Sequence, residues 1–222
     1  MRSSIKMKEV NNIFILGDSY SAFNGYIPDE CVSWYSNEKK EVNDVNHVEQ
    51  MWWYDFFKTA ENRLAMNCSY SGTTVCNTGY NGENCSHKSF VARFQRLVEK
   101  NYFQENRIDT FIIFGGTNDC WANSPIGKVQ YSNFEGQDLF SFLPACCYLL
   151  SQIKELMPST KVLVVMNTEL KEEMYQGVRR ACAKYGVDLL ELENIDKQFG
   201  HPSVTGMKQI KEQVGKALYN GN

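Results

Sequence analysis

Five short apolar runs, separated by longer stretches of helical periodicity, set the architecture open to this chain. The runs fall at residues 12–17, 64–68, 109–115, 161–166 and 187–192. Near-continuous apolar segments of this length suit strands buried on both faces, as in a parallel sheet. Between and after them, residues 48–62, 89–106, 139–157, 169–185 and 205–219 read as helices. The second carries Phe90, Phe94, Leu97 and Val98 at helical spacing, the third ends at Pro158, and the fourth ends at Gly186, a common helix cap. In the last, Met207, Ile210, Val214 and Leu218 form one apolar stripe. Alternation of strand and helix predicts an α/β fold with right-handed crossovers: a three-layer α/β/α sandwich of flavodoxin-like type on a five-stranded parallel sheet.

Composition narrows the function classes. The 222 residues are 43% hydrophobic, enough for one sizeable core, and no internal repeat or low-complexity linker divides them. A single domain over residues 1–222 is expected. A net charge of -3 without a basic cluster argues against nucleic acid or an anionic membrane surface as partner. The longest apolar runs, 13–16, 111–114 and 162–166, fall well short of the roughly 20 residues that span a bilayer. The N-terminal "MRSSIKMKEVNN" has charges but no apolar signal core. Compartment and oligomeric state stay open. None of the eight cysteines has C-x-x-C spacing, so no zinc ribbon or other metal site is expected. Cys68, Cys146, Cys147 and Cys182 read as small core residues. Cys76 and Cys85 flank the polar "NTGYNGEN" loop and would suit a disulfide in an oxidising compartment.

In sheets of this type ligands bind beyond the carboxyl ends of the strands. After the first run comes Gly17-Asp18-Ser19, after the second "SYSGTT" with Gly72, after the third "GGTNDCW" with Asn118, and after the fifth "FGHPSVTGM" with His201. Each can supply one part of an acyl-transfer site. A serine hydroxyl is a weak nucleophile until a base takes its proton, and histidine titrates near working pH. A tetrahedral intermediate needs donors aimed at its oxyanion, such as the Gly72 N–H and the Asn118 amide. Each stretch alone has a plainer reading, as a turn, a cap or a surface loop. Their conjunction at one sheet edge carries the signal. His47 and His87, the other two histidines, lie in polar loops without a partner motif.

"ILGDSYS", "NCSYSGTT", "FGGTNDCW" and "GHPSVTGM" together resemble, in order, the four blocks of the SGNH (GDSL-type) hydrolases. The resemblance covers almost the whole chain. It implies a catalytic pair of Ser19 and His201, and an oxyanion hole made by the Ser19 N–H, Gly72 and Asn118. It further implies hydrolysis of a carboxylic ester through an acyl-serine, without metal or cofactor. A small acyl group, such as acetyl, on a carbohydrate is the expected substrate. No lid or exposed amphipathic helix points to lipid, and "GDSYSAFNG" has no glycine-rich phosphate fingerprint for a nucleotide or flavin.

Two positions depart from the family pattern. Tyr20 stands where leucine is frequent, a difference expected to alter packing only. More seriously, the aspartate usual three residues before the histidine is replaced by Gln198. An aspartate there orients the imidazole and stabilises the imidazolium. Three readings stay open. Asp196 or Glu193 reaches His201; a Ser–His pair works with Gln198 or a backbone carbonyl; or the fold survives as a ligand- or carbohydrate-binding module without catalysis. Trp121 and Asn123 are candidates for the substrate pocket. Trp52 and Trp53 read as core, Arg93 as a surface residue or a site for an anionic substrate group, and Cys120 as a packed thiol.

Overall fold

The apolar runs form one parallel sheet. The computed structural model describes residues 10–219; residues 1–9, which include most of the charged N-terminal segment, lie outside the described residues. Strands β1 (Asn11–Gly17), β2 (Asn62–Ser69), β3 (Thr110–Gly115), β4 (Lys161–Met166) and β5 (Asp188–Glu191) pair in the order β2-β1-β3-β4-β5, every pair parallel. This is the flavodoxin strand order, in which the crevice between β1 and β3 is the switch point where ligands bind.

Strand periodicity divides the core. Phe14, Leu16, Phe111, Ile113, Val162 and Val164 face helices α1 (Phe90–Glu99), α4 (Phe142–Leu156) and α5 (Glu172–Tyr185). Ile13, Ile15, Ile112, Phe114, Leu163 and Val165 face α6 (Val204–Tyr219) together with Trp52 and Trp53. The result is the expected three-layer α/β/α sandwich. Each large apolar side chain so buried contributes about 1.5–3 kcal/mol.

Several helix boundaries differ from the sequence reading, for local reasons. The 89–106 helix breaks at Asn101, whose φ of 57° admits the left-handed region, leaving α1 and a short α2 (Tyr102–Glu105). Glu169 has φ 65°, so α5 starts only at Glu172; it ends on Gly186 at φ 60°, as expected. Residues 48–62 do not form a helix. They make two 3-10 turns, Val48–Gln50 and Tyr54–Phe57, before β2 begins at Asn62. Trp52 and Trp53 are adjacent yet both 1% exposed, and each indole N–H binds the chain just after β1. Among the described residues no helix is long and apolar enough to cross a membrane.

Candidate active site

The strand ends stand level. Gly17 is in register with Ser69 of β2 and Phe114 of β3, so the segments after all three strands emerge at one edge. The turn after β1 is tight: the Asp18 carbonyl accepts from Ser21 N at 3.2 Å and Ala22 N at 3.1 Å, and Asp18 Oδ1 accepts from Tyr20 N at 3.0 Å. Gly17 is required by crowding, since a Cβ there would lie 2.5 Å from Ser69 Oγ and 2.9 Å from Ser21 Cβ. Trp53 Nε1 donates to the Ser21 carbonyl at 2.9 Å from below. Ser19 sits at the tip of this turn, 3% exposed.

A two-residue hairpin carries the histidine. Strands β6 (Lys197–Gln198) and β7 (His201–Pro202) are antiparallel, joined by Phe199 at φ 51° and Gly200 at φ 75°. Two successive positive φ values mark the turn whose twist matches a tight hairpin. His201 Nε2 lies 3.1 Å from Ser19 Oγ, and Nδ1 lies 3.2 Å from the Phe199 carbonyl oxygen. A carbonyl only accepts, so this contact places the proton on Nδ1 and leaves Nε2 to accept from the serine. Burial pushes the His201 pKa down to about 4; the Phe199 carbonyl opposes this, and the charge of Lys40 adds to it.

The irregular stretch 21–46 holds this hairpin in place. Tyr35 OH donates to the Pro202 carbonyl at 2.8 Å, Asn43 Nδ2 donates to the same oxygen at 3.2 Å, and Asp44 Oδ1 accepts from Val204 N at 2.9 Å. Tyr20 does more than pack: its buried hydroxyl donates to the Gly200 carbonyl at 2.6 Å and accepts from Asn167 Nδ2 at 3.1 Å. It ties the serine turn to the histidine hairpin.

The groups that sequence offered to orient the ring lie elsewhere. Gln198 Oε1 accepts from Asp44 N at 2.8 Å. Asp196 accepts a short hydrogen bond from Ser203 Oγ. Glu193 pairs through its backbone with the Gln213 amide. Both ring nitrogens are already engaged by Ser19 and Phe199, so none of the three supports the imidazole.

On the opposite side of Ser19, β3 runs directly into the short helix α3 (Thr117–Trp121), whose first turn holds Asn118, 2% exposed. Tyr80 OH donates to Asn118 Oδ1 at 2.8 Å, which sets the amide so that Nδ2 faces the serine turn, 3.4 Å from Asp18 Oδ2. Sequence reasoning missed Tyr80, because nothing local marks a loop tyrosine 38 residues from its partner. Burial raises the Asp18 pKa to about 7. Gly72 has φ 75° with open space where a Cβ would stand, so backbone conformation demands glycine there. The Asp119 carboxylate accepts from Val75 N at 2.8 Å and Cys76 N at 3.1 Å, fastening the loop after β2 to α3. Arg93 is 2% exposed, contrary to its reading as a surface or anion-binding residue. Its guanidinium binds the Cys68 and Gly17 carbonyls and Thr73 Oγ1, clamping the ends of β1 and β2.

Of the two pocket candidates, Trp121 is 47% exposed and stands edge-on to His201 with ring centroids 5.8 Å apart. Asn123 turns away: it is exposed, has φ 53°, and its side-chain oxygen accepts from Lys171 Nζ. Cys76 and Cys85 are buried free thiols and form no disulfide with each other. Among the described residues no three His, Cys, Asp or Glu side chains gather as a metal site.

The family model of GDSL-like lipases and acylhydrolases matches residues 11–218. A GDSL-like lipase of Bacteroides ovatus, itself a provisional assignment, is 42% identical with a TM-score of 0.87, over 96% of this chain and 99% of its own. A counterpart from Bacteroides uniformis, equally provisional, is 42% identical with a TM-score of 0.87, over 95% of this chain and 96% of its own. An acetyl xylan esterase from the rumen bacterium Butyrivibrio proteoclasticus shares the fold at 15% identity and a TM-score of 0.58, over 98% of this chain and 65% of its own. No curated protein sequence matches. Matched over nearly its full length, the chain belongs to the family of GDSL-like lipases and acylhydrolases.

Proposed function

We propose that this protein hydrolyses carboxylic esters through an acyl-serine intermediate, with Ser19 as nucleophile and His201 as its base. The contact of 3.1 Å between Ser19 Oγ and His201 Nε2 carries the reading. As Oγ bonds to the ester carbonyl carbon, its proton passes to Nε2. The carbonyl oxygen becomes an oxyanion, met by Asn118 Nδ2 and the N–H groups of Ser19 and Gly72. The long contact of Asn118 to Asp18 is weak enough to be exchanged for this stronger one. On collapse the C–O bond to the alcohol breaks and His201 returns the proton to the leaving oxygen. A water then gives its proton to Nε2 and attacks the acyl carbon; the bond from that carbon to Ser19 Oγ breaks and His201 returns the proton to Oγ, releasing the acid and restoring the resting pair.

For the substrate we infer a small acyl group, such as acetyl, on a carbohydrate. Trp121 and the 74% exposed Phe199 present aromatic surface beside His201, suited to the apolar faces of sugar rings. An acetyl xylan esterase sharing the fold supports the same class.

The test is release of nitrophenol from p-nitrophenyl acetate and of acetate from acetylated oligosaccharides. Wild type should turn over both, and Ser19→Ala should fall to the uncatalysed rate. Equal rates for the two proteins would overturn the assignment and leave a binding module.

A further inference from the structure

We propose that Trp34 is a positioning residue for His201, holding the plane of the imidazole where an aspartate would otherwise fix it. The inference rests on the reading of His201 as the base of an ester hydrolase. Its basis is geometric. The indole of Trp34 lies parallel to the imidazole, with centroids 3.9 Å apart and 6° between planes. The contact at Nδ1 is to a neutral carbonyl at 3.2 Å, a single hydrogen bond without charge. Such a bond sets the tautomer but restrains the ring only weakly against tilt about its own Cβ–Cγ axis. A parallel indole in van der Waals contact removes that freedom, because any tilt drives a ring edge into the indole face. The remaining directions are bounded edge-on by Tyr35 and Trp121 and by the tilted ring of Tyr20.

Trp34 is held for this purpose rather than for its own hydrogen bonding. Among the described residues its Nε1 is buried without a hydrogen-bond partner, a cost that stability alone would not favour. The Lys40 ammonium lies 4.0 Å from the indole centroid and also binds the Trp34 carbonyl, so that imidazole, indole and ammonium form one cluster. The charged and titratable groups around the ring are Lys40 and the buried hydroxyls of Tyr20 and Tyr35, while the carboxyls of Asp18 and Asp44 act on the Tyr35 hydroxyl. Of these, Lys40 acts on His201 directly and, with burial, favours the neutral base. Trp34 thus excludes water from one face of the ring while fixing its orientation.

The experiment compares Trp34→Phe, which keeps a ring, with Trp34→Met, which keeps bulk without a plane. Trp34→Met should lower kcat for p-nitrophenyl acetate about 10- to 100-fold with little change in KM, the signature of a displaced base. Trp34→Phe should stay within about threefold of wild type. NMR titration of His201, assigned by loss of its signal in His201→Gln, reads the same device without activity: its midpoint should rise in Trp34→Met toward the ordinary histidine value. Wild-type His201 ring protons should be displaced upfield by the indole ring current, a measurement that survives failure of any variant to fold. An unshifted wild-type ring, or Trp34→Met with unchanged kcat and midpoint, would overturn the proposal. Wild type inert toward esters but with a shifted, low-titrating His201 would sink the esterase reading while leaving the stacking intact.

Discussion

His201 Nδ1 binds the backbone carbonyl of Phe199, 3.2 Å away, inside a single two-residue turn. The group that orients the base is therefore part of the chain two residues upstream. It sets the tautomer as an aspartate would, but brings no negative charge to the imidazolium.

The pH profile follows from this. His201 must be neutral to accept the serine proton, and burial lowers its pKa to about 4. Activity should hold as pH falls through the ordinary histidine range and drop as pH falls through about 4. The midpoint of kcat/KM against pH checks it, and an acid limb near 6.5 would contradict a buried, uncharged base. The sign for stability is the same. Between about pH 6.5 and 4 the unfolded chain binds a proton on His201 that the folded chain refuses, so the contribution of this group to stability falls with pH through that window, against the opposite contributions of Asp18, raised by burial to about 7, and Asp119, raised to about 6.

Gln198 stands at the position where a triad aspartate is expected, but its side chain caps Asp44 N. Gln198→Ala should leave kcat within about threefold of wild type, and Gln198→Asp should bring no gain, since neither side chain reaches Nδ1. Steady-state kinetics decide it; a rise of tenfold or more in Gln198→Asp would show that the hairpin rearranges to form a triad.

Asn118→Ala should cost about 10²–10³ in kcat, the range for one oxyanion donor. Tyr80→Phe removes only the hydroxyl that fixes the Asn118 amide. We expect a smaller loss, roughly 3- to 10-fold in kcat at constant KM, because the amide then samples its flipped orientation. Equal losses in the two variants would place Tyr80 in direct contact with substrate instead.

Tyr20→Phe deletes the hydroxyl shared by the Gly200 carbonyl and Asn167 Nδ2. Leaving buried partners unpaired should destabilise the protein by about 1–3 kcal/mol. Urea unfolding measures this, and a change below about 0.5 kcal/mol would show that water takes the place of the hydroxyl.

The match between sequence and structure is uneven along the chain. The strand runs ending at Gly17, Gly115 and Met166 are legible because burial on both faces writes itself into consecutive residues. Residues 48–62 depart from the helix their sequence suggests because the two tryptophans that fill the far layer are placed by hydrogen bonds to Tyr20 and Ser21, which no local periodicity encodes. Three of the four motif stretches emerge together at one edge because parallel strands in register end together, and the β6–β7 hairpin brings the histidine stretch to them.

The α/β layers, the sheet edge that carries the site, and Ser19 and His201 as candidates are written in the chain, since apolar periodicity and strand-end chemistry are local properties. Their surroundings come from the folded chain. Tyr20 reaches Gly200 across 180 positions and Tyr80 reaches Asn118 across 38. Trp34 arrives on His201 from the irregular stretch 21–46. Such contacts depend on how loops fold back over the sheet, and a hydrogen bond or ring stack leaves no spacing rule in the chain when its partners are brought together by packing alone.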